Sequence, residues 1–228
     1  MTRRPAALKG RPTSVGRGFS PGEPLPRAFY ARPTLTVLEQ IIGKVLVHEV
    51  RGRRTAGVIV EAEAYIGEAD PACHAAPGPT PRNAPLYGPP GYAYVYLNYG
   101  IHNLVNAVTE KAGSPAAVLL RALDPLEGEP LMRRRRDLSP GDDESTRWAV
   151  CRGPGNLTEA MGITLGLNRS DLTSGPLWIE DRGITPPALA WSPRIGIRVG
   201  ADTPWRCHWS GHPAVSGKRV VSPRRRAG

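Results

Sequence analysis

Cysteine is scarce in this chain. Cys73, Cys151 and Cys207 are its three thiols, and no two of them form a CxxC pair. An odd, scattered set argues against a disulfide framework and against a cysteine-based zinc site, and it fits a reducing compartment. Long apolar runs are missing too. No stretch approaches the ~20 residues that a membrane span needs, and Met1–Gly18 lacks the apolar segment of a secretory signal. A cytoplasmic protein that avoids the membrane is expected, nucleoid-associated in a prokaryote or nuclear in a eukaryote. Acid is absent from Gly217–Gly228, which holds five basic residues, and Met1–Arg27 sets six basic residues against Glu23 alone. These two ends carry the whole formal charge of +10, because the remainder balances 19 basic against 19 acidic residues. The ends would attract a polyanion in a salt-dependent, sequence-blind way. Solubilising tails without a partner would look the same.

The 228 residues suit one compact domain with tails. Residues 1–26 read as a disordered basic tail, 27–216 as the folded domain and 217–228 as a basic C-terminal tail. Pro33 is placed to open a helix to Ile42, closed by Gly43. Lys44–Val50 and Ala56–Tyr65 read as an antiparallel hairpin. Gly67–Pro90 is a long loop rich in proline and glycine, of the kind that is often functional. Tyr92–Leu97 and Asn103–Val108 flank a turn, and Ala116–Leu123 is a further strand. Glu129–Arg136 reads as a helix ending in four arginines, with Ser139-Pro140 forcing a stop near Asp137. Pro140–Arg147 is polar and expected to be mobile. Pro154–Met161 is a helix closed by Gly162, and Leu177–Glu180 and Arg194–Val199 are late strands. Strands adjoin strands with few helices between them. This predicts an α+β domain: a curved, mostly antiparallel sheet, surrounding helices and a protruding hairpin.

Three stretches carry chemistry. In Val58–Tyr65, strand alternation puts Ile59, Glu61, Glu63 and Tyr65 on one face. A carboxylate among apolar and aromatic groups can activate water. The plainer alternative is that both acids simply pair with arginines. In Gly91–Gly100 lie four of the seven tyrosines. Tyr92, Tyr94 and Tyr96 share a face, and Tyr99 falls at the hairpin turn. An aromatic there could wedge into a base stack, and one in a pocket could stack on an extruded base. Ordinary strand aromatics are the alternative. In Asp70–Gly91 lie His74, Arg82 and Asn83, and Arg82 could meet a phosphate.

Together these segments resemble the alkyladenine (3-methyladenine) DNA glycosylase family. The resemblance runs through IIGKVLVH, GVIVEAEAYIGEADPACHA, GPTPRNAPLYGPPGYAYVYLNYGIHNLVNAV and AVLLRALDPLEG. It continues in CRGPGNLTEAMGI, PRIGIRVG and PWRCHW. It implies an enzyme that flips alkylated or deaminated purines from duplex DNA and hydrolyses the N-glycosidic bond. On this resemblance Glu63 is the general base. Tyr65, His74 and Tyr96 wall the base pocket, Asn106 disfavours the guanine amino group, and Arg121 is a basic residue beside the pocket. Tyr99 enters the minor groove, and Arg82 lies near the DNA backbone. Water as nucleophile, no lyase step, no metal, no cofactor and a monomer acting on damaged duplex DNA are expected. Two departures stand out: Leu86-Tyr87 where Met-Phe is usual, and Asn156 where a lysine is common. A non-catalytic nucleic-acid binding module and a hydrolase of free nucleosides are the rival readings.

Overall fold

The computed structural model describes residues 22–140 and 144–217, apart from the side chains of 144 and 145. The greater parts of both expected tails lie outside these residues. Within them the chain forms five α-helices and eight β-strands. All strand pairings are antiparallel, and the sheet curls into a half-barrel. The expected α+β domain with a curved antiparallel sheet is therefore present.

Helices α1 (Arg27–Tyr30) and α2 (Thr34–Ile41) come first. Pro33 sits at the N-cap of α2, and Val37, Leu38 and Ile41 are fully buried. Gly43 ends it with φ +89°, where a Cβ would lie 2.5 Å from the Ile184 carbonyl oxygen. Only glycine fits there. The folded part starts earlier than Arg27. Leu25 is completely buried, and its N–H bonds to the Ile179 carbonyl at 2.7 Å.

Strands β1 (Val45–Val50) and β2 (Arg53–Ile66) form the expected hairpin. β3 (Ala93–Asn98), β4 (His102–Val108) and β5 (Ala116–Glu127) follow, then β6 (Leu177–Glu180). The sheet order is β3-β4-β5-β2-β1-β6. β7 (Leu189–Ser192) and β8 (Arg206–Trp209) complete it, with β8 pairing on Glu61–Glu63 of β2. The expected strand Arg194–Val199 does not form. Gly196 and Gly200 take positive φ, and the Arg194 side chain is drawn inward by Asp70, so the segment runs irregularly between β7 and β8.

The decisive local feature is in β2. Ile59 pairs with Leu123, and Glu61 pairs with Ala122, leaving Val60 as an extra residue. Ala62 then pairs with Leu120, leaving Arg121 extra on β5. A bulge breaks strict alternation. Ile59 accordingly joins Ala62 and Ala64 in the main core, whereas Val58 and Val60 belong to a second cluster. Ile59 does not share a face with Glu61 and Glu63, as simple alternation requires. At the same point β2 changes its neighbour on one edge from β1 to β8.

Helices α3 (Glu129–Arg135), α4 (Glu144–Arg147) and α5 (Pro154–Met161) complete the elements. α4 covers the end of the Pro140–Arg147 segment, and 141–143 lie outside the described residues. The run of four arginines is largely spent internally. Arg133 bonds Glu129 and Thr146, Arg135 caps the Ala160 carbonyl, and Arg136 meets Glu159 and the Val150 carbonyl. The N-terminus of α5 packs on β4, where a Cβ at Gly155 would lie 2.8 Å from the His102 ring. Asn156 bonds the Arg152 carbonyl at 2.8 Å.

Candidate active site

β2 carries Glu61, Glu63 and Tyr65 to the end of the sheet, where β3 and the 67–90 loop meet it. The loop is ordered by its own polar groups. Asp70 accepts from the Ala72 and Ile66 N–H groups. Asn83 is buried and donates to the carbonyls of His74 at 2.7 Å and Gly78 at 2.9 Å. The backbone around His74 is thereby fixed.

Arg194 ties this loop to the 193–200 segment. It grips Asp70 with two bonds of 2.6 and 2.8 Å and also donates to the Ala64 carbonyl. Its guanidinium lies 4.8 Å from the Tyr65 ring and 5.2 Å from the Trp205 ring. Burial opposes the Asp70 charge. Arg194 and the two backbone donors outweigh it and hold the carboxyl below the usual aspartate range.

A recess of about 290 Å³, partly open to solvent, lies between β2, β3, β4 and the loop. Tyr65, His74, Tyr94, Tyr96 and Asn106 form its polar and aromatic walls. Its apolar lining is Ala72, Cys73, Leu86 and Ala117. His74 packs edge-on against Tyr96 with centroids 4.4 Å apart, and its Nδ1 lies 2.8 Å from the Tyr94 hydroxyl. Burial and the nearby Arg82 push the His74 pKa down, so the ring is neutral at neutral pH. Burial pushes the Tyr94 phenol up to about 12. Asn106 donates to the Tyr94 carbonyl at 3.0 Å.

Glu63 is fully buried, one hydrogen bond behind the wall. Its Oε2 accepts from the Tyr65 hydroxyl at 2.9 Å and from Arg121 Nη1 at 3.0 Å, and its Oε1 accepts from the Ile195 N–H at 2.7 Å. Burial raises its pKa. Arg121, the Ile195 N–H and Tyr65 work against that rise, Glu61 adds to it, and the result stays above the ordinary glutamate range. Such a carboxylate is a stronger base than a solvated one. Glu61, equally buried, takes the opposite shift. Burial raises it, but Arg121, Arg206 and the Ser216 N–H overcome this and hold it charged.

The structure thus brings together Glu63, Tyr65, His74, Tyr96 and Asn106. Arg121 stands behind the recess and bridges the two glutamates rather than lining the cavity. Arg82 is exposed beside the recess, donating to the Leu97 carbonyl at 3.2 Å, with its guanidinium 5.9 Å from the Tyr96 ring. Tyr99 is separate, at the tip of the β3–β4 hairpin, 87% exposed and at φ +49°. The Ile101 N–H closes the turn onto the Asn98 carbonyl, and Tyr99 and Gly100 between them both have positive φ. A type I′ turn needs that at both central positions.

Tyr92 is not a wall. It lies under Arg27, 4.8 Å from the guanidinium, and pairs with Asp171. Tyr94 is a wall that sequence reasoning did not single out, although its alternation with Tyr96 pointed to it. Among the described residues, no group of three or more His, Cys, Asp or Glu side chains could hold a metal ion, and no helix is long and apolar enough to cross a membrane. All three cysteines are free and buried.

Residues 28–213 match the family described as methylpurine-DNA glycosylase. A protein of Methanocella arvoryzae is 48% identical over 196 residues, covering 84% of this chain and 95% of the relative. One of Chlorobaculum parvum is 44% identical over 200 residues, covering 87% and 93%. One of Burkholderia lata is 47% identical over 205 residues, covering 89% and 92%. All three bear 3-methyladenine DNA glycosylase in their names. With its aromatic recess, its buried carboxylate and a family match that spans most of its length, this chain belongs to the methylpurine-DNA glycosylase family.

Proposed function

We propose that the protein excises damaged purines from duplex DNA by base flipping and water-mediated hydrolysis of the N-glycosidic bond. The observation that carries this is the pairing of buried Glu63 with Tyr65, one wall of the aromatic recess, through a hydrogen bond of 2.9 Å. An extruded purine stacks between Tyr65 and the His74–Tyr96 side of the recess. Cationic alkylpurines gain most from these electron-rich rings. Asn106 meets the base edge and disfavours the guanine amino group. Tyr99 fills the gap left in the duplex, which offsets the few kcal/mol that flipping costs. Arg82 steadies the neighbouring backbone.

The chemical step needs one base. Glu63 takes a proton from water as the water oxygen bonds to C1′. The glycosidic bond breaks, and its electron pair leaves with the purine. The glutamate charge also stabilises the oxocarbenium-like transition state, as in glycoside hydrolysis. A base already charged by alkylation leaves without further protonation. No lysine lies at this site in the sequence, so the reading includes no Schiff base and no strand cleavage. The chain acts as a monomer without a cofactor, on deaminated as well as alkylated purines.

The test is base release from methylated and hypoxanthine-containing duplexes, with Glu63→Gln as control. Release by the wild type with loss in the variant supports the reading. Tight duplex binding without release by the wild type favours a binding module. Equal cleavage of free nucleosides, unaffected by Tyr99→Ser, favours a nucleoside hydrolase.

A further inference from the structure

The proposed reaction gives Glu61 no task, yet it accepts four hydrogen bonds. Arg121 Nε donates to it at 3.0 Å, Arg206 Nε at 2.6 Å, and Ser216 from its hydroxyl at 2.8 Å and its backbone N–H at 2.6 Å. The other arm of Arg121, Nη1, reaches Glu63. We propose that Glu61 is a positioning residue for the base: it occupies the Nε edge of Arg121 and the Arg206 guanidinium, so that Arg121 offers Glu63 a single N–H. The proposal rests on Glu63 being the base.

The physical reason is the geometry of guanidinium. Its planar fork grips a carboxylate with two parallel bonds when nothing else competes. A carboxylate gripped in that way has its lone pairs filled and is a poor proton acceptor. Glu61 takes one side of the fork, and Glu63 keeps a binding edge that a water can share. Charge balance acts in the same direction. Arg121 on β5 and Arg206 on β8, opposite Glu63, are matched by Glu61 and Glu63 on β2. The other groups that act on Glu63 are the neutral phenols of Tyr65 and Tyr96, and Arg194, which Asp70 neutralises. Without Glu61, Arg121 and Arg206 both face the base with their charges unopposed and lower its proton affinity. Without Arg206, Arg121 and Glu61 cancel and the proton affinity of the base rises.

The test is single-turnover base release from dimethyl-sulfate-treated duplex DNA as a function of pH, on the full chain, with thermal melting alongside. Glu61→Gln is expected to lower the plateau rate about tenfold and to move the acid limb to lower pH. Arg206→Gln is expected to move the limb to higher pH. Glu61→Asp, which keeps the charge, is expected to leave the limb near its wild-type position. A role confined to stability lowers the melting temperature and leaves every limb in place. Limbs that stay fixed, or that move the same way in Glu61→Gln and Arg206→Gln, overturn the proposal. If Glu61→Gln does not fold, Arg206→Gln decides it: an upward shift supports the proposal, and no shift or a downward one refutes it. Undiminished release by Glu63→Gln is a separate failure, of the base itself, and takes the proposal with it.

Discussion

Tyr65 donates its phenolic proton to Glu63 Oε2 at 2.9 Å, so a pocket wall and the buried carboxylate are held as one unit. That bond lowers the proton affinity of Glu63 against the rise caused by burial. Tyr65→Phe keeps the ring and loses the donor. The glutamate pKa should then climb further. The base works only when deprotonated, so the acid limb of the rate profile should move to higher pH, with substrate affinity nearly unchanged. Single-turnover rates across pH, with binding measured separately, check this.

Glu63→Gln should remove the base while leaving the Ile195 and Arg121 neighbours close to a side chain of equal size. A loss of about 10²–10⁴-fold in the base-release rate is expected, the usual weight of general base catalysis. Duplex binding should persist. A loss below tenfold would mean that another group accepts the proton.

Tyr99 holds a positive φ that a bulky residue adopts only at a cost, on the order of 1 kcal/mol or more. Tyr99→Gly should relieve that cost and raise the melting temperature by a few degrees, about 2–4 °C per kcal/mol for a domain of this size. Base release from duplex should fall sharply at the same time. An unchanged rate on duplex would reject a wedging role for this side chain.

Asp70→Asn leaves the buried Arg194 without its counter-charge. Breaking a buried pair in this way costs about 3–5 kcal/mol, which thermal or urea unfolding will read. The wild-type pair also implies a pH dependence. The folded-state pKa of Asp70 is depressed, so its stabilising contribution is complete above the ordinary aspartate pKa. It is lost as pH falls through the lowered folded value. Acid unfolding of Asp70→Asn should lack this component.

Much of the site could be read in the chain because it sits on regular strands. Tyr65 and Glu63 are two apart on β2, and Tyr96 and Asn106 lie on the paired strands β3 and β4. Periodicity alone placed the first pair on a common face. The partners that tune the base come from elsewhere. Ile195 is on an irregular segment, and Arg206 and Ser216 lie about 145 and 155 residues from Glu61. No local pattern announces such pairings, which arise only when β8 docks on β2. Ile195, Ile197 and Val199 alternate as a strand would, which is the pattern behind the expected strand Arg194–Val199. The glycines at 196 and 200 and the pull of Asp70 override that pattern. Ile59 departs from its expected face for a different reason: alternation cannot anticipate an unpaired residue.

That unpaired residue, Val60, gives the enzyme a strict requirement on length. The chain upstream of it and the chain downstream of it are in opposite phase, hydrophobic side to hydrophobic side. Deleting Val60 would leave Arg121 still unopposed on β5 and would rotate the half-strand bearing the acids by half a turn against its upstream half. Both glutamates would then point into the oily interior and the alanines into the cavity.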